Sequence, residues 1–208
     1  MRIVNHLILS VLPLAAQIVT QPGHHVVPRP LAAPLTPSPV RVAASLPVSF
    51  EANLGQAAPD VRFLSRNKNF TLLLTSSGPV VQPHGEEDGI RIRFGGARAV
   101  PEVLGRELLP GKTHFFLGND TREWRANIPA YGKVCYPNLY PGIDVVFHGS
   151  RNQLEYDFEI RPGADPGAIS LQFEGAQRIS LDSTGDLILG TASGELRQRR
   201  PRVFQDID

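Results

Sequence analysis

Leu154-Glu155-Tyr156-Asp157-Phe158-Glu159-Ile160 alternates apolar and acidic residues without a break. In an extended chain successive side chains point to opposite faces. The pattern therefore predicts a strand with Leu154, Tyr156, Phe158 and Ile160 toward a core and Glu155, Asp157 and Glu159 toward solvent. A helix would scatter the same residues around its circumference.

The two-residue period recurs on both sides of this stretch. Ile90, Ile92 and Phe94 alternate with Arg91 and Arg93, and Ile169, Leu171 and Phe173 with Ser170 and Gln172. Ile179 and Leu181, then Leu187 and Leu189, continue it. Phe70 to Leu74 and Asp144 to Phe147 read as more continuous apolar strands. Turn signals separate them, among them Ser77-Gly78-Pro79, Pro110-Gly111-Lys112, Tyr140-Pro141-Gly142 and Ser183-Thr184-Gly185-Asp186. Asp165-Pro166 resembles an N-cap followed by a first-turn proline and predicts one helical turn near 164–169. The expected class is all-β and mainly antiparallel: a β-sandwich or a curled multi-hairpin sheet with little helix. Phe70 to Gly78 and Asp186 to Gly194 echo each other. They read either as two related β-units, 48–108 and 109–208, or as two hairpins that share turn chemistry.

Composition fits many short strands. The 208 residues include 19 Gly and 19 Pro, above the usual shares, and such frequent breakers suit short strands between turns. The net charge of +1 provides no broad field for nucleic acid or an anionic membrane. Cys135 is the single cysteine, so no internal disulfide is expected; the thiol reads as a small buried hydrophobe.

The N-terminus reads as an export address. Met1-Arg2 is followed by an apolar run through Leu14-Ala15-Ala16, the pattern of a signal peptide over 1–20. That run is too short for a transmembrane span, which needs about 20 apolar residues. Residues 21–47 carry Pro22, Pro28, Pro30, Pro34, Pro37, Pro39 and Pro47 and read as a semi-rigid linker. His24-His25 within it is too isolated to read as a metal site.

A further series orders the body, 48–208. Phe50-Glu51-Ala52-Asn53-Leu54-Gly55-Gln56 opens it, and Phe115-Phe116-Leu117-Gly118-Asn119-Asp120 and Trp124-Arg125-Ala126-Asn127-Ile128-Pro129 follow. Leu139-Tyr140-Pro141-Gly142-Ile143-Asp144 then leads into Gln153-Leu154-Glu155-Tyr156. In order and spacing this resembles the uncharacterised N-terminal domain of bacterial SBBP (beta-propeller) repeat proteins. The resemblance implies a secreted or cell-surface location and β-propeller or immunoglobulin-like modules downstream as partners. It implies no catalytic residues.

Chemistry-bearing motifs are sparse. The sequence has no Gly-X-Ser-X-Gly elbow, Gly-X-Gly-X-X-Gly cradle or His-Glu-X-X-His pair. Glu155 and Asp157 share one strand face at a spacing compatible with a glycosidase carboxylate pair, although any acidic strand face would satisfy it. Trp124, flanked by Arg122 and Arg125, reads either as a sugar-stacking platform or, as a lone Trp more commonly does, as core. The turn from Asp182 to Asp186 reads as a hairpin turn, with calcium as the alternative. His84, His114 and His148 are scattered. Arg197, Arg199, Arg200 and Arg202 read as a solvated edge that blocks unwanted pairing.

The sequence thus predicts an exported, non-enzymatic structural or interaction module with no catalytic residue, metal site or cofactor. Its expected partners are neighbouring modules or other surface proteins, not nucleic acid. The alternative is a carbohydrate-binding or carbohydrate-active domain using Trp124, Glu155 and Asp157.

Overall fold

A computed structural model describes residues 1–8, 48–85, 88–98, 102–116, 118–150, 153–192 and 194–204. The linker and most of the expected export segment lie outside the described residues.

Strands dominate. In chain order they are β1 (Arg2–Ile8), β2 (Phe50–Ala52), β3 (Val61–Arg66), β4 (Phe70–Thr75) and β5 (Gly78–Pro83). Next come β6 (Ile90–Phe94), β7 (Leu104–Phe115), β8 (Arg125–Tyr140), β9 (Ile143–Ser150) and β10 (Gln153–Ile160). The last are β11 (Leu171–Glu174), β12 (Arg178–Leu181), β13 (Leu187–Gly190), β14 (Glu195–Gln198) and β15 (Arg202–Phe204). Single 3-10 turns occupy Thr121–Glu123 and Pro166–Ala168. In the second, Asp165 caps as its spacing predicts, accepting a bond from the Gly167 amide.

All these strands pair antiparallel in one sheet, in the order β11-β6-β5-β4-β3-β2-β8-β9-β10-β1-β14-β13-β12; β7 pairs with β8, and β15 with β1. The sheet is curled. Seven strand steps separate β6 from β10, which in a flat sheet at about 4.8 Å per step would be about 34 Å. Yet the Phe94 ring of β6 lies 6.5 Å from Phe158 of β10, edge to face, and 6.0 Å from Tyr136 of β8. The concave face holds the core, including Phe50, Leu72, Leu74, Tyr136, Phe147, Tyr156 and Phe158.

Buried phenols bridge strands from inside, among them Tyr140, whose hydroxyl donates to the Ser170 carbonyl at 3.0 Å. The Tyr136 hydroxyl donates to the Thr75 carbonyl at 3.0 Å, and the Tyr156 hydroxyl to Gln198 Oε1 at 3.0 Å. Burial raises the ionisation point of Tyr136 and Tyr156, so both stay neutral donors.

Strand positions follow the two-residue period where the strands are regular, and depart from it in three places. Pro110-Gly111-Lys112 is not a turn: β7 runs through it, and the register with β8 shifts between Leu108 and Lys112. Such an irregularity absorbs the proline that a regular ladder would reject. Ile179 and Leu181 are exposed, 52% and 71%, because β12 is the end strand of the sheet. The third departure concerns β10, whose acidic side is also dry: Glu155 is 6% exposed and Asp157 0%. The expectation that these carboxylates face solvent is overturned. β10 is an interior strand with β9 on one side and β1 on the other. Its second face continues through Val146 and Cys135, both buried.

Candidate functional site

Three places carry the side chains singled out from the sequence. The first is the acidic face of β10. Cross-strand register places His148 of β9 opposite Glu155, and Val146 opposite Asp157. The imidazole Nε2 of His148 lies 2.8 Å from Asp157 Oδ2. Burial of an acid is tolerated when hydrogen bonds replace the lost water, and His148 provides one. A glycosidase carboxylate must touch its sugar. In this structure Asp157 and Glu155 have next to no accessible surface, so neither is open to a sugar.

The second is the β7–β8 end. Here Trp124 is a surface residue, 41% exposed, which overturns the core reading. Its ring lies 5.2 Å from that of Phe116, itself 55% exposed, and His114 stacks on Phe116 at 5.7 Å. The loop beneath is tightly fastened. Asp120 caps the 3-10 turn through the Arg122 amide and also takes the Arg122 guanidinium. Those bonds hold the Asp120 carboxyl below its usual range. Arg125 donates to the carbonyls of Leu54, Arg122 and Trp124, which ties the loop to the turn after β2. The Trp124 indole N–H donates to the Gly118 carbonyl at 3.3 Å. Arg122 and Arg125 thus fasten the loop, while the three rings face outward.

These two places do not meet. Trp124 immediately precedes β8, whereas Glu155 lies in the row of His148 and Lys133. Lys133 is eight residues along β8, about 25 Å of strand. A joint site of Trp124, Glu155 and Asp157 is therefore not formed.

The third is the turn from Asp182 to Asp186. Asp182 Oδ1 accepts from the Thr184 amide and hydroxyl and from the Asp186 amide; its Oδ2 takes Arg197 at 2.5 Å. The Thr184 hydroxyl, helped by the amides and by Arg197, pulls the Asp182 carboxyl down to about 2. Asp186 accepts from the Arg200 amide and from Arg197. The carboxylates close the hairpin on itself, so the turn chemistry of Asp and Gly accounts for the motif.

The remaining histidines do not converge. His84 faces Thr71, and His114 takes the Asn127 amide. Among the described residues no three His, Cys, Asp or Glu side chains stand together as metal ligands. Cys135 is buried and its thiol is pushed up to about 11 by that burial. Among the described residues no helix is long and apolar enough to cross a membrane. Sequence reasoning missed the participation of Phe116 and His114 beside Trp124. The available signal was the Phe115-Phe116 pair just before the Gly118-Asn119-Asp120 turn.

A family model described as a domain of unknown function (DUF7948) matches residues 50–208. No curated protein and no solved structure matches the chain.

Proposed function

Taking as premise that this chain belongs to the family described as a domain of unknown function (DUF7948), we propose that it is an exported, non-enzymatic interaction module. In this reading it forms the N-terminal part of a secreted or cell-surface repeat protein of the SBBP kind, and docks against a neighbouring module. The observation that carries the reading is the aromatic patch of His114, Phe116 and Trp124. Large apolar rings exposed together on a fastened loop are unusual for a surface with no partner. Aromatic side chains anchor docking because they bury much area at little conformational cost. The Pro-rich segment 21–47 supports spacing, and the apolar run through Ala16 supports export; because Arg2–Ile8 of that run pairs with β10 as β1, removal of the leader on export would leave β10 as an edge strand.

The same rings also support a second reading, a carbohydrate-binding face, since flat aromatic surfaces stack on sugar rings. One experiment separates the two. Phe116→Ala/Trp124→Ala and the unaltered protein are compared on an array of neutral glycans and against purified downstream modules from the same gene. Docking predicts module binding lost in the variant and a silent array. Glycan recognition predicts array signal lost in the variant. Binding of either kind that survives the double substitution refutes the patch as the site. Fractionation of cells expressing the whole gene tests export; a product confined to the cytoplasm refutes it.

A further inference from the structure

The hairpin of β13 and β14 carries a second surface of different chemistry. Beside the Asp182 turn lies an open cleft of about 640 Å³, lined by Ser183 and Thr184 and by Arg197, Arg199, Arg200 and Arg202. Asp186 supplies the one carboxylate among its described lining residues.

The roles of these groups divide sharply. Arg197 is committed to Asp182 at 2.5 Å and to Asp186 at 3.4 Å, so the local carboxylates are spent inside the hairpin. Arg199, Arg200 and Arg202 are exposed and form no ion pair with a described residue. Several exposed arginines elsewhere are matched, Arg93 with Glu174, Arg122 with Asp120 and Arg178 with Glu195, while Arg62 and Arg98 are exposed but line no shared cleft with these three. Three unmatched guanidiniums along one cleft concentrate positive potential that the chain's net charge of +1 conceals. The position of Arg200 is fixed, because its backbone amide donates to Asp186 Oδ1 at 3.0 Å. Guanidinium forks match the paired oxygens of carboxylate, sulfate and phosphate groups.

We propose that this cleft binds an acidic polysaccharide, with Arg199, Arg200 and Arg202 each engaging an oxyanion. The cleft volume falls in the range of ligand sites, and its open form admits a polymer. Several anionic groups on one flexible chain fit guanidiniums spread over four successive positions better than one small anion does. The choice of polysaccharide as the source of the oxyanions rests on the exported-module reading. The oxyanion site itself is measured on purified protein, and export is measured by fractionation, so either can fail alone.

The probes are heparin, neutral dextran and duplex DNA, with affinity read by calorimetry at fixed salt. Heparin should bind and dextran should not. The triple variant Arg199→Ala/Arg200→Ala/Arg202→Ala should weaken heparin binding at least tenfold. A control that removes three exposed cations elsewhere, Arg62→Ala/Lys68→Ala/Lys112→Ala, should change it less than twofold. Arg199→Lys/Arg200→Lys/Arg202→Lys keeps the charge but loses the forks, and should weaken binding about threefold. The proposal is overturned if heparin does not bind, if the two alanine triples lose equally, or if the lysine triple loses nothing. Tighter binding of duplex DNA than of heparin would overturn the assignment to polysaccharide.

Discussion

Gly78 offers a sharp test of the curled sheet. It opens β5 at the turn after β4 with φ of +116°, where a side chain is strained. A methyl group there would lie 2.3 Å from the carbonyl oxygen of Ile92 in β6. That oxygen belongs to backbone and cannot swing aside. Gly163 is the natural comparison: its φ is +82°, but no atom lies within 4 Å of an added Cβ. The left-handed backbone alone costs a non-glycine residue about 1–2 kcal/mol. Forcing a methyl into occupied space adds about 1–3 kcal/mol. Gly163→Ala should therefore lose about 1–2 kcal/mol and Gly78→Ala about 2–5 kcal/mol. In a domain of this size each kcal/mol lowers Tm by about 2–4 °C, so Gly78→Ala should melt near 10 °C lower. Urea unfolding of both variants, with calorimetry on the same samples, gives the comparison. Losses equal within about 0.5 kcal/mol would refute the reasoning, because they would show that β6 does not pack over the turn.

Other perturbations have equally definite outcomes. Tyr156→Phe strands the buried Gln198 oxygen and should lose about 1–3 kcal/mol, whereas Tyr156→Phe/Gln198→Leu should recover part of it; additive losses in urea melts would disprove the bond. Cys135 should ignore a disulfide reagent at pH 8 in the folded protein and react once unfolded, since its thiol sits at about 11; rapid labelling without denaturant would contradict its burial. The folded-state value of Asp182, about 2, lies below its unfolded value near 3.9, so its contribution is complete above pH ~4 and fades toward pH 2. Amide exchange in β13 and β14 should accelerate across that window in the native protein, and Asp182→Asn should flatten the response; an unchanged pH profile in the variant would exclude Asp182 as the source. Phe116→Ala/Trp124→Ala should leave stability within about 1 kcal/mol, as both rings are largely exposed; a larger loss by thermal melting would make them core rather than platform.

Much of this architecture is written locally. The period of two at Ile90–Phe94 and Leu154–Ile160 dictates extended chain, because only a strand turns alternate side chains the same way. Asp165-Pro166 specifies its short turn through a cap and a preset φ, both properties of neighbours in sequence. β7 and β8 were less legible. In β7, Pro110-Gly111-Lys112 read as a turn, yet irregular register with β8 carries the strand through it.

What sequence alone determined is which residues are extended and which of each strand's two sides is apolar, since backbone sterics and side-chain direction act between adjacent residues. It could not determine how many of those sides are covered. Glu155 and Asp157 read as wet, and pairing of β10 on both edges, with His148 reaching Asp157, made them dry. Trp124 read as core or as an exposed platform, and the fastened loop left it outside. Curvature was decided at the same level, when rings seven strands apart met as Phe94 and Phe158. Burial depends on what arrives from distant parts of the chain, and a local pattern contains no record of that arrival.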